Sequence, residues 1–144
     1  MGGRELNGSR PILLDTCAAI WLMNGDPMSA ASRDAISSAQ AAGGVHVSPI
    51  TAWEIAMLCA RGRLLLTRAP SAWFAALVAQ PGVALAPMPP DVLIASATLP
   101  GEPPRDPADR IIAATARAYG HAIVTRDSIL IAYGKARHID VVEC

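Results

Sequence analysis

Short apolar runs alternate with helix-length segments along most of the chain, and this alternation limits the possible folds more than any single residue does. Candidate strands are Ile12–Asp15, Val45–Ser48, Val83–Ala86, Ala122–Thr125 and Ile139–Val142. Helical stretches are expected over 15–24, 29–42, 49–61, 71–79, 91–99 and 106–119, with a shorter seventh after Thr125. Strands that each lead into helices are the signature of a parallel sheet covered on both sides. The predicted architecture is therefore α/β: a three-layer α/β/α sandwich around a central parallel sheet of four to five strands. Local signals agree. Asn24-Gly25, Gly43-Gly44, Gly62 and Gly120 are helix stops, and Pro107 is suited to the first position of a helix.

Composition narrows the class. A chain of 144 residues suits one domain, large enough to fold without disulfides or a structural metal. With 52% hydrophobic and 17% charged residues it is neither disordered nor a solvating segment. The apolar surplus suits a sheet covered on both faces or a surface kept for a partner. Acidic and basic residues balance at 12 each, so bulk charge does not advertise a polyanion partner. Eleven of the bases are arginines and Lys135 is the exception, which favours forked contacts over point charges. Cys17, Cys59 and Cys144 are odd in number with no close pairing, which argues against a disulfide framework or zinc cluster and fits the reducing cytoplasm. Residues 1–10 read as a disordered lead without a signal-peptide core, and residues 11–144 as the single domain. The uncharged segment Ala69–Pro90 is broken by Gln80-Pro81-Gly82, Pro87 and Pro89-Pro90, so no membrane span is expected.

Ligands of open α/β sheets bind outside the carboxyl ends of the strands. Asp15 closes the first strand, Glu54 lies about a turn and a half into the helix after the second, and Asp127 follows the fourth. Asp106 and Asp109 open the helix that precedes that fourth strand. Capping explains some of these: Asp15 and Asp127 suit helix N-caps, and Asp106 with Asp109 resembles a capping box, so Asp106 reads foremost as a cap. Glu54 has no basic neighbour at helical spacing. Caps do not explain the convergence. Two carboxylates ~4 Å apart repel by about 4 kcal/mol at an effective dielectric of ~20. Four in one cleft must take up protons or hold a cation. Oxygen donors without Cys or His point to a hard divalent ion, Mg²⁺ or Mn²⁺, and to phosphodiester hydrolysis.

Four motifs carry a family resemblance: Leu13-Leu-Asp-Thr16, Val47-Ser-Pro-Ile-Thr-Ala-Trp-Glu-Ile55, Arg105-Asp-Pro-Ala-Asp-Arg-Ile-Ile-Ala-Ala-Thr-Ala116 and Ile123-Val-Thr-Arg-Asp127. In this order the chain resembles PIN-domain proteins, and within them the VapC-type toxin ribonucleases of bacterial toxin–antitoxin pairs. The resemblance implies Mg²⁺-dependent cleavage of RNA and neutralisation by a cognate antitoxin. It assigns the catalytic and metal-binding acids to Asp15, Glu54, Asp109 and Asp127, the register of Ile112-Ala-Ala114 selecting Asp109 over Asp106. Thr16, Ser48, Asp106 and Thr125 stand beside the site in this reading. Where many members have His two residues after the first Asp, this chain has Cys17.

Further expectations are open to test. Arg105, Arg110, Arg117 and Arg126 stand around the acid motifs, either to grip RNA phosphates or as a solvated, salt-bridging face. Trp21, Trp53 and Trp73 offer a stacking surface, but their spacing among Ile, Leu and Ala assigns them to the core. His46, His121 and His138 are isolated in sequence and receive no function. Helices 29–42 and 49–61 carry more apolar residues than one buried stripe needs, so they are expected to present an apolar groove or homodimer face. A signalling receiver lacks its acidic pair and late lysine here. An Asp-x-Asp phosphatase is excluded by Cys17 at the second Asp position. A PIN fold kept as a non-catalytic RNA- or protein-binding module, or a PIN nuclease that is not a toxin, remains the alternative.

Overall fold

The computed structural model describes residues 10–144, so the lead expected over residues 1–10 lies, apart from Arg10, outside the described residues. The order of elements is β1 (Ile12–Leu14), α1 (Thr16–Asn24), α2 (Ala30–Ala41), β2 (Val45–Val47), α3 (Pro49–Ala60), α4 (Pro70–Val78), β3 (Val83–Leu85), α5 (Pro90–Ala97), α6 (Pro107–Tyr119), β4 (Ala122–Thr125), α7 (Ser128–Lys135) and β5 (Asp140–Glu143). All five strands are parallel, in the order β3-β2-β1-β4-β5. Each predicted strand and helix is present. The first three strands end one residue early, the first two because Asp15 and Ser48 are recruited as N-caps of α1 and α3. The last strand is shifted one residue later, because its ladder pairs Asp140 with Ala122 and Glu143 with Thr125.

Alternation of side chains along the strands builds the two outer layers. Ile12, Leu14, Val45, Val47, Ala122 and Val124 face α1, α2 and α4, where they pack with Ala18, Ala19, Ile36, Trp73 and Leu77. Leu13 and Ile123 point the other way, onto Ile112, Ala113 and Ala116 of α6 and Leu130 and Tyr133 of α7. β1 and β4 are buried throughout, as an all-parallel sheet with helices on both faces requires. Each fully buried leucine or isoleucine here contributes roughly 1.5–3 kcal/mol of transfer free energy.

The chain steps from β1 through β2 to β3 in one direction and places β4 and β5 on the other side of β1. The carboxyl ends of β1 and β4 therefore flank the topological switch point, where open sheets of this kind leave a crevice. No described helix is long and apolar enough to cross a membrane.

Candidate active site

Asp15 and Asp127 stand on the two rims of that crevice, immediately beyond β1 and β4. Asp15 is buried and caps α1, its Oδ1 accepting from the Ala18 N–H at 2.8 Å. Its Oδ2 accepts from the Thr125 hydroxyl at the end of β4. The Thr125 oxygen in turn accepts the Asp127 N–H at 3.0 Å, and Asp127 caps α7 through the Leu130 N–H at 2.9 Å. One buried hydroxyl thus ties both acids together across the switch point.

Glu54 arrives from α3, whose start is set by Ser48 as N-cap and Pro49 behind it. Its Oε1 accepts a hydrogen bond from Thr16 in the first turn of α1. Asp106 caps α6, receiving the Asp109 N–H at 3.0 Å, and this turn brings Asp109 to the same cluster. Capping and clustering are therefore not alternatives. Asp15, Asp106 and Asp127 do both, because the N-termini of α1, α6 and α7 converge where anionic groups are favoured.

The electrostatics record how close the acids are. Asp109 is raised to about 7, by burial first and then by the charges of Asp106, Asp127, Glu54 and Asp15. Glu54 is raised by burial, against the lowering effect of the Thr16 hydrogen bond, with Asp106 and Asp15 adding to the rise. Asp15 is raised by burial, although Thr125 and the Ala18 N–H oppose it; Asp127 raises it further. The Cys17 thiol on the same helix turn is pushed up to about 11 by burial and by the charges of Asp15, Glu54, Asp109 and Asp127. Among the described residues, no arginine or lysine lies within ion-pair distance of Asp15, Glu54, Asp109 or Asp127. Nor are any three His, Cys, Asp or Glu groups drawn in to metal-coordinating distance there. The cluster is a set of mutually repelling carboxylates, and its donor chemistry fits a hard divalent cation.

Other expected contacts are distributed differently. Ser48 is buried and spends its hydroxyl on the Ile50 N–H at 3.1 Å. Arg105 is exposed. Arg126, between Thr125 and Asp127, lies over the Trp21 ring at 3.9 Å and donates to the Cys144 carbonyl at 3.3 Å. Arg110 is turned to the Ser96 carbonyl at 3.1 Å, on α5. Arg117 sits in the last turn of α6 and donates to the His138 carbonyl at 2.6 Å. Two turns of helix separate it from Asp109, so it does not join the acids. Of the tryptophans only Trp73 is fully core; Trp21 is half-buried and Trp53 is 55% exposed. Trp53 leaves the core because Thr51 and Ile55, the fully buried residues of α3, occupy the inward face. Along α2 the exposed positions include Arg33, Asp34, Ser37 and Ser38, and Ile36 lines a groove of mixed character with Trp21, Leu22 and Met28. Two features escaped the sequence reading. Thr51 is fully buried against Thr16, and only its i to i+3 spacing to Glu54 hinted at it. His46 and His121 stack at 4.3 Å, a pairing made by sheet register with no signal in the sequence.

A parallel α/β/α sheet whose switch-point crevice gathers carboxylates from four elements, with no basic counter-ion at ion-pair distance among the described residues, defines an acidic-cleft α/β fold. The PIN domain family model matches residues 12–136, and the chain belongs to that family. It is 32% identical over 132 residues to ribonuclease VapC22 of Mycobacterium tuberculosis (strain ATCC 25618 / H37Rv), covering 90% of this chain and 97% of the relative. Its backbone is similar to that of VapBC2 from Rickettsia felis bound to a promoter DNA fragment, with a TM-score of 0.65, 12% identity, and 92% and 97% of the two chains covered. It is also similar to DNA-bound VapBC from Salmonella typhimurium, with a TM-score of 0.63 at 19% identity, covering 93% and 98%.

Proposed function

We propose that this protein is a cytoplasmic endoribonuclease, the toxin of a toxin–antitoxin pair, hydrolysing RNA phosphodiester bonds with a divalent cation, Mg²⁺ or Mn²⁺. The observation that carries the reading is the convergence on Asp109. Burial and four neighbouring acids lift its carboxyl to about 7, and no described base within ion-pair distance relieves them. Asp15, Glu54, Asp109 and Asp127 would hold the ion, which supplies charge neutralisation at the phosphoryl group and a more acidic water. The chain's own residues do the rest. Thr125 orients Asp15 and anchors Asp127, Thr16 orients Glu54, and the Asp106 cap fixes the turn that carries Asp109. The converging helix N-termini add positive potential toward phosphate. Arg126 and Arg105, beside the acids in the chain, are the side chains offered to the RNA backbone.

A cognate antitoxin as partner is supported by the sequence resemblance and by the solved neighbours, which are assemblies named VapBC and FitAB. A homodimer is supported by the apolar exposure of Trp53 on α3 and of Leu93 and Ile94 on α5. The non-catalytic alternative would be marked by a lost acid, and all four are present.

The test is incubation of the purified protein with RNA and Mg²⁺ beside Asp15→Asn and Asp109→Asn. Cleavage by the wild type that disappears in both variants is expected. Equal degradation by all three proteins would overturn the assigned site.

A further inference from the structure

We infer that Thr51 is a positioning residue that, through Thr16, sets the direction of the Glu54 carboxylate; this rests on the metal-site reading above. Thr51 and Glu54 are three residues apart on α3 and so share one face of the helix. Thr16 stands opposite both, on α1. Its hydroxyl carries a single proton, which goes to Glu54 Oε1. The Thr51 hydroxyl lies 3.2 Å from Thr16 Oγ1, so in this contact Thr51 is the donor and Thr16 the acceptor. The relay runs Thr51 to Thr16 to Glu54.

Burial makes this direction consequential. Thr51 is 0% exposed and Thr16 is 7% exposed. A helical threonine divides its time between two rotamers, one of which turns Oγ1 to the backbone. The bond received from Thr51 selects the rotamer that faces Glu54. Partners of metal-ligating groups typically change metal affinity ~10- to ~100-fold when removed. The same rule applies here one bond further out, because Thr16 cannot hold Glu54 unless it is itself held.

The experiment is calorimetric titration of Mn²⁺ into the full chain, without RNA, for wild type, Thr51→Val, Thr51→Cys, Thr51→Ser and Glu54→Gln. Valine keeps the volume and removes the donor, and Mn²⁺ binding is expected to weaken ~10-fold. Serine restores the donor and the affinity. Cysteine, a weaker donor, falls between them and supplies the comparison if the valine variant does not fold. Valine or cysteine binding Mn²⁺ as tightly as wild type, or serine as weakly as valine, overturns the relay alone. Wild type that binds no Mn²⁺, or Glu54→Gln that binds it unchanged, overturns the metal-site reading and the relay with it.

Discussion

Replacing Asp109 with Asn should make the metal-free protein more stable, and increasingly so as the pH rises. In the native state the Asp109 carboxyl is held at about 7 by burial and by Asp106, Asp127, Glu54 and Asp15. In the unfolded chain it returns to the ordinary ~3.9. Between these values the native state holds more of this proton than the unfolded state does. Its contribution to stability is complete below ~pH 4 and is lost as the pH rises through about 7. The full difference corresponds to ~4 kcal/mol, and screening at this part-exposed position reduces it to roughly 1–2 kcal/mol. Asn is nearly isosteric and carries no charge, so it escapes the penalty. The favourable effect of a carboxylate near the α6 N-terminus is lost as well, but at ~0.3–1 kcal/mol it is the smaller quantity. Thermal melts in a chelator should give the variant and wild type similar Tm values at pH 4. At pH 8 the net gain of roughly 0.3–1.5 kcal/mol should make the variant melt about 1–5 °C higher. Adding Mg²⁺ or Mn²⁺ should raise the wild type toward the variant. A variant that melts at or below wild type at pH 8 without cation would refute the reasoning, because the acids would then not be crowded.

The remaining predictions follow from named contacts. His121 is buried with Nδ1 unpartnered and is lowered to about 4, chiefly by burial and also by His46 and Arg10. Its unfolded form takes up a proton near ~6.5, so stability falls as the pH drops from there to about 4. His121→Phe, which keeps the ring against His46, should flatten that fall, and urea melts at pH 5 and 7.5 with unchanged pH dependence would contradict it. Thr125→Val removes the donor to Asp15 and the acceptor for the Asp127 N–H, and RNA cleavage should fall at least ~10-fold while Thr125→Ser stays active. If serine and valine are equally active, the hydroxyl does not orient the acids. Arg126→Ala should weaken RNA binding and reduce its salt slope by ~1, which a binding titration over several salt concentrations measures; an unchanged slope removes Arg126 from the interface.

Much of this protein is local in origin and therefore legible in its residues. Asp15, Asp106 and Asp127 announce helix starts because an N-cap bonds a backbone N–H only three residues on, whereas Ser48, read as the end of a strand, caps α3. Strand positions follow from short apolar runs, and a parallel sheet follows from their separation by helices. The acids stand out because they lie near strand ends and helix starts, while the choice of Asp109 over Asp106 comes from the family resemblance.

Long-range register was not legible. The order β3-β2-β1-β4-β5 decides that β1 and β4 adjoin, and only then does Thr125 reach Asp15 across 110 residues of sequence. Packing of α3 on α1 decides that Thr51 meets Thr16 and that Trp53 faces outward. Arg110 and Arg117 lie close to the acids in the chain, yet helix rotation and length carry them to Ser96 and His138 instead. His46 and His121, far apart in sequence, are stacked because β2, β1 and β4 lie side by side. Caps and periodicity are interactions within a few residues, which the sequence writes out directly. The gathering of the acids and their hydrogen bonds to Thr16 and Thr125 are interactions between elements, and those exist only once the sheet has chosen its order.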